Sequence, residues 1–165
     1  MGTRSRIAVM HGDICKSVYC HYDGYLDGVG ETLLEHYDSA RANELVALGD
    51  LSTIGEVIGE EHPFSPFDLP PELAGMSLTD FNARFGNMCT FYGRDRGESN
   101  TEWQVAHSFE EFIEQCERSG AEFYYVMKDG VWYCGDMYNN SIEGTGISRR
   151  LTPLADALSR AKQLS

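Results

Sequence analysis

The chain has 165 residues, with Lys+Arg 13 against Asp+Glu 26 and a formal net charge of −13. That length fits one domain and buries a core without staples, and hydrophobic residues at 42% exclude wholesale disorder. The charge excludes general binding to nucleic acid or to a membrane surface, because both partners are anionic.

Residues 4–10 alternate as a first strand, with Arg4, Arg6, Ala8 and Met10 on one face and Ser5, Ile7 and Val9 on the other. The apolar stretch stops at Met10, too short for a signal-peptide core, and no run approaches transmembrane length. A cytoplasmic location is the expectation. His11-Gly12-Asp13 makes a turn, and residues 15–21 return as a second strand. Two glycines and two aspartates in residues 23–28 speak against regular structure there. A helix follows from Val29, with Leu33, Leu34 and Tyr37 as its stripe. A second runs over 40–48 with Leu45 and Val46, capped by Gly49. Residues 51–59 fit a short strand or a turn.

Pro63, Pro66, Pro70 and Pro71, four of the five prolines, mark 59–79 as an excursion from the core: a long loop, a lid or a partner-binding arm. Its Phe64, Phe67 and Leu69 are expected to pack. Strands are predicted at 88–92 and 102–106, joined by the polar turn 93–100. Ser108 and Glu111 form a capping box for a helix carrying Phe112, Ile113 and Cys116 and ending at Gly120. Residues 122–127 and 131–134 make the clearest hairpin, around Lys128-Asp129-Gly130. Thr152-Pro153 opens a last helix with Leu154, Ala157, Leu158 and Ala161 on one face. The sum is a single α+β domain over 1–165. It has an antiparallel sheet of about six strands in three hairpins and three to four helices packed mainly on one face.

The five cysteines are odd in number and form no C-x-x-C pair, which predicts reduced, buried thiols. Residues 27–72 hold eleven acids against Arg41 alone, so −10 of the −13 falls there. Bases gather at Arg4 and Arg6, at Arg94 and Arg96, and at Arg149, Arg150, Arg160 and Lys162. Glu31, Glu35 and Asp38, at i, i+4 and i+7, would stand in a row on one helix. That suits docking on a basic partner surface, and equally a solvated helix face.

Three H-x-D pairs recur, and His21 with Asp23 would share a strand face fit for a metal-dependent hydrolase. No H-E-x-x-H, G-x-S-x-G or phosphate-loop motif accompanies them, so no metal, cofactor or catalytic residue is assigned. A polar recognition site is the stronger constellation. Arg4, Arg6, Arg94 and Arg96 supply forks for an anionic, nucleotide-like ligand, with His21 and Asp23 beside them and Tyr25 and Trp103 as stacking faces. Internal salt bridges would use the same arginines.

Several motifs carry a resemblance: Gly2-Thr3-Arg4-Ser5, Tyr19-Cys20-His21-Tyr22-Asp23-Gly24-Tyr25, Leu33-Leu34-Glu35-His36-Tyr37, Leu48-Gly49-Asp50-Leu51-Ser52 and Tyr92-Gly93-Arg94-Asp95-Arg96-Gly97-Glu98. They resemble a family of small bacteriophage and mobile-element proteins with a G-T-R-S start and a Y-C-H-W-D-G-Y-P motif. Tyr22 stands where Trp is usual, and Leu26 where Pro is. The likeness covers 1–55 well and 90–135 loosely. It implies a phage or prophage origin and no particular reaction. Small acidic phage proteins often bind host factors, so the leading expectation is an accessory protein that inhibits a host defence protein. A host protein with a basic surface and an anionic small ligand are the expected partners, and a free sheet edge would also serve a homo-oligomer.

Overall fold

The computed structural model describes residues 2–137 and 151–164, so Arg149 and Arg150 lie outside the described residues. The strands are β1 (Ser5–His11), β2 (Ile14–Cys20), β3 (Leu51–Thr53), β4 (Thr90–Phe91), β5 (Gln104–Ala106), β6 (Phe123–Lys128), β7 (Val131–Asp136) and β8 (Thr152–Pro153). The helices are α1 (Glu31–His36), α2 (Ser39–Ala47), α3 (Leu78–Phe85), α4 (Tyr92–Arg96), α5 (Phe109–Ser119) and α6 (Leu154–Leu164). The α+β class therefore holds, built on one sheet of order β4-β3-β2-β1-β6-β7-β8, with β5 also pairing β2.

Two hairpins form the centre. β1 and β2 pair antiparallel from Ser5↔Cys20 to His11↔Ile14. β6 and β7 pair from Phe123↔Asp136 to Lys128↔Val131. Asp129 (φ 53) and Gly130 (φ 78) form the second turn, the Asp-Gly pattern whose positive φ angles match the strand twist. The hairpins join in parallel, Ser5 against Phe123 through Met10 against Lys128. β2 and β3 also meet in parallel at Cys20↔Leu51. The sheet is thus mixed. The third expected hairpin, between 88–92 and 102–106, does not form: β4 pairs β3, and β5 pairs β2. The expected polar turn between them begins as the helix α4.

Both sheet faces are covered, which is why β1 and β6 read as near-continuous apolar runs. Ile7 and Val9 with Val18, Tyr125, Met127 and Trp132 pack against Leu33, Leu45, Val46 and Leu154 from α1, α2 and α6. Ala8 and Met10 with Cys15, Tyr124 and Val126 pack against Phe112 and Cys116 of α5. Ser108 Oγ accepts the Glu111 N–H (3.1 Å), so Ser108 caps α5 as read from the sequence, but the return bond of the expected box goes to the His107 N–H, one residue before the cap. The stretch expected to lack regular structure ends in a π-helical turn, Leu26–Gly30, that runs directly into α1. Here the tertiary bonds win, because Tyr125 Oη donates to Gly24 O at 2.6 Å and locks the segment to β6.

The proline-rich excursion has little regular structure. It contains a 3₁₀ turn at Pro71–Leu73, and α3 begins at Leu78, inside its expected bounds. Phe64 packs on Tyr92, but Phe67 is 90% exposed, against the expectation that the aromatics pack. All five cysteines are free and buried. Burial pushes the Cys15, Cys20, Cys116 and Cys134 thiols up to about 12.

Candidate functional site

The eight residues proposed for one ligand pocket fall into separate neighbourhoods. Arg94 is a structural clamp. Its Nε donates to Asp95 Oδ1 (3.0 Å), its Nη1 to the Ile58 and Gly59 carbonyls, and its Nη2 to Cys89 O (3.0 Å), while the guanidinium lies over Phe91. Asp95, whose side chain is fully buried, also accepts the Phe91 N–H (2.7 Å) and the His62 N–H (3.1 Å). The His62 ring stacks on Phe85 of α3, with Nδ1 at 2.8 Å from Pro63 O and Nε2 at 2.9 Å from Cys89 O. This hub fastens the proline-rich segment to the end of the sheet.

Arg96 pairs with Glu98 and covers the Phe64 ring. Trp103 lies at the β5 edge under Lys16 Nζ, 4.6 Å from the ring centroid. His21 and Asp23 do not share a strand face, because β2 ends at Cys20 and Asp23 turns at φ 59. His21 Nδ1 meets Tyr19 Oη at 2.7 Å, and Asp23 accepts from Tyr25 Oη at 2.9 Å. That hydrogen bond to Asp23 pushes the Tyr25 phenol above its ordinary value. Among the described residues, no group of three or more His, Cys, Asp and Glu is placed to hold a metal ion.

Arg4 and Arg6 do share the α5 side of the sheet, as the alternation predicts. Arg4 lies exposed against the end of α5, where a Cβ on Gly120 would meet its Nη1 at 2.9 Å. Arg6 is 2% exposed and bonds Ser17 twice, Nε to Oγ (3.0 Å) and Nη2 to the carbonyl (3.1 Å).

The acidic row is broken. Helix α1 ends at His36, Tyr37 is extended (φ −122, ψ 108), and Asp38 is the N-cap of α2, accepting the Arg41 N–H at 2.9 Å. Tyr37 imposes the break: its hydroxyl donates to Gly55 O at 2.6 Å, and its carbonyl accepts Trp132 Nε1–H at 2.8 Å. Glu31 pairs with Lys162 at 3.1 Å, so its charge is used within the fold.

Glu35 and Asp38 nonetheless border one feature, a groove of about 610 Å³ between the α1–α2 junction, the β6–β7 turn and the start of α6. Its floor is Trp132, Met127 and Tyr37, all buried, and Leu34 and Val131 are exposed apolar groups along it. A smaller cavity of about 280 Å³ shares Ser39, Met127 and Gly130 with it and adds Asp129. The sequence shows these acids but puts them in one helical row, and it does not show the groove, because Met127 and Trp132 of its floor come from strands roughly ninety residues downstream.

Fold and groove together define a mixed-sheet α+β protein with an apolar groove edged by Glu35, Asp38 and Arg41. No family model, curated protein or solved structure matches the chain. Among the described residues, no helix is long and apolar enough to cross a membrane.

Proposed function

We propose that this protein is an accessory protein of phage or mobile-element type that acts by binding, and that it inhibits a host defence protein presenting a basic surface. The observation that carries the reading is the groove at the α1–α2 junction. An apolar floor flanked by Glu35, Asp38 and Asp129, with Arg41 the one arginine on the rim, fits a segment that offers an apolar side chain between lysines or arginines. The surrounding segment supports it, since ten of the eleven acids of 27–72 are exposed or half-exposed without serving as a backbone clamp inside the sheet; Asp50 is the exception. The motif likeness supports a bacterial host cytoplasm as the setting.

The test is capture from bacterial lysate by the wild-type protein and by the double variant Glu35→Lys with Asp38→Asn. Asn keeps an acceptor at the α2 N-cap, so the variant changes charge and not the helix start. Wild type should retain a basic protein that is released at about 0.5 M salt, where the screening length is about 4 Å. The variant should lose it. Retention of the same protein by the variant overturns the groove as the docking surface.

A further inference from the structure

The proline-rich segment between β3 and α3 carries the most exposed large apolar side chain among the described residues. Phe67 is 90% exposed, whereas the other exposed large hydrophobic residues stand between 37% and 59%. Single apolar residues on a surface are ordinary, but a ring left almost wholly in water at the tip of an ordered turn is not. Ser65 O accepts the Asp68 N–H at 3.1 Å, Ser65 Oγ accepts the Phe67 N–H at 3.0 Å, and Pro66 fixes φ at the second turn position. The stem is fixed as well. Phe64 packs on Tyr92 and is covered by the Arg96 guanidinium, and His62 is bonded into the Asp95 hub.

The charge around this tip has one sign. Residues 59–73 hold Glu60, Glu61, Asp68 and Glu72 and no Lys or Arg. All four acids are exposed, and among the described residues none of them lies in an ion pair. Glu31, Asp95 and Glu98, by contrast, are each paired with a cation of the fold. Beside the tip lies a cavity of about 570 Å³, lined by Glu61 and Asp68 together with Phe64, Pro70 and Leu73. Arg96, which also lines it, is paired with Glu98 at 3.3 Å.

We propose that this turn is a docking element for a protein with a basic surface. Phe67 enters an apolar recess on the partner, and a lysine or arginine from the rim of that recess reaches the cavity that Glu61 and Asp68 line. The turn is already ordered, so little chain entropy is lost on binding, and one phenyl ring brings a large apolar area out of water. Charge decides the occupant. A second copy of this chain would set the four acids against four like charges in a molecule of net charge −13, so contact between two such tips is opposed where a basic surface is attracted. The element goes beyond the groove at the α1–α2 junction, with which the cavity shares no lining residue.

The experiment places the photoreactive p-benzoylphenylalanine at position 67 of the full chain and irradiates it in bacterial lysate, with each adduct identified by peptide mapping. One dominant adduct is expected, on a partner segment bordered by lysine or arginine, and it should fall at least roughly tenfold at about 0.5 M salt, where the screening length is about 4 Å. Excess wild-type protein should suppress the adduct. Phe67→Ser, a change at an exposed position, should compete at least roughly tenfold less well, with unchanged circular dichroism. The photoreactive protein carrying Glu60→Gln, Glu61→Gln, Asp68→Asn and Glu72→Gln should give at least roughly tenfold less adduct. None of these substitutions touches the groove, so failure of this element and failure of the groove are read separately. No adduct, adducts that wild type does not suppress, an adduct with a second copy of this chain alone, full competition by Phe67→Ser, or an undiminished adduct from the charge-neutral protein overturns the proposal.

Discussion

Arg94 and Arg6 are both arginines drawn into the protein, yet their surroundings differ. Arg94 meets a buried carboxylate, three carbonyls and an aromatic face; its Nη1 bonds to the Ile58 and Gly59 carbonyls tie that segment to α4, and the others hold it to Cys89, Phe91 and Asp95. Arg6 meets one serine and, at longer range, the charge of Asp50. The difference separates an arginine paired in contact with a carboxylate from one held by a single serine. Burial alone does not distinguish them; the count of satisfied donors does.

Stability measurements break or sharpen this contrast. Arg94→Met leaves the Asp95 carboxylate buried and uncompensated, and should cost about 3–5 kcal/mol in urea unfolding. Arg6→Met removes a cation with no close counter-charge and should stay within about 1 kcal/mol of wild type. Equal losses in the two variants would make Arg6 a structural clamp like Arg94.

A smaller effect is expected at Asp50, the carboxylate whose charge Arg6 feels from a distance. Its Oδ1 accepts the Tyr19 N–H at 2.8 Å in the gap that β3 and β5 leave along β2. Burial raises its pKa above the ordinary 3.8, opposed by the Tyr19 bond and by Arg6. The folded state then holds a proton that the unfolded state releases first, so this group's contribution falls as pH rises through that window. Asp50→Asn keeps the acceptor and removes the desolvated charge. Its melting temperature should match wild type in acid and equal or exceed it at neutral pH. Asp50→Ala orphans the Tyr19 N–H and should lose about 1 kcal/mol at both. A pH-independent difference between Asn and wild type would remove Asp50 from the account.

The smallest effect concerns the thiols beside Arg6. A cation ordinarily lowers a thiol pKa, but for Cys15 and Cys116 burial outweighs Arg6, and both stand at about 12. Native protein should react with an aromatic disulfide reagent at none of its five cysteines, and at all five in denaturant. Rapid reaction of native Cys15 or Cys116 would show that the α5 side is more open than its packing implies.

Several of the sequence motifs sit where backbone approaches backbone. Gly24 N–H bonds Thr3 O at 2.8 Å, and a Cβ on Gly24 would meet Thr3 O at the same distance, so the G-T-R-S start and the Tyr19–Tyr25 motif hold each other. Asp50 bridges to Tyr19, and Asp95 organises the hub. These residues serve the fold, not a reaction site.

The sequence by itself determined the local features: the two central hairpins with their Asp-Gly turn, the helix cap at Ser108, the buried thiols, and the concentration of acid in 27–72. These depend on period, turn chemistry and composition within a dozen residues. The tertiary structure decided the rest. It joined the hairpins in parallel across more than a hundred residues, broke the acidic row at Tyr37, and set the groove floor beneath Glu35 and Asp38. It also gave Arg94 a carboxylate in contact and left Arg6, among the described residues, with Ser17 and the more distant charge of Asp50. Such outcomes depend on which distant backbone groups a side chain meets once both faces of the sheet are covered, and no local pattern encodes that.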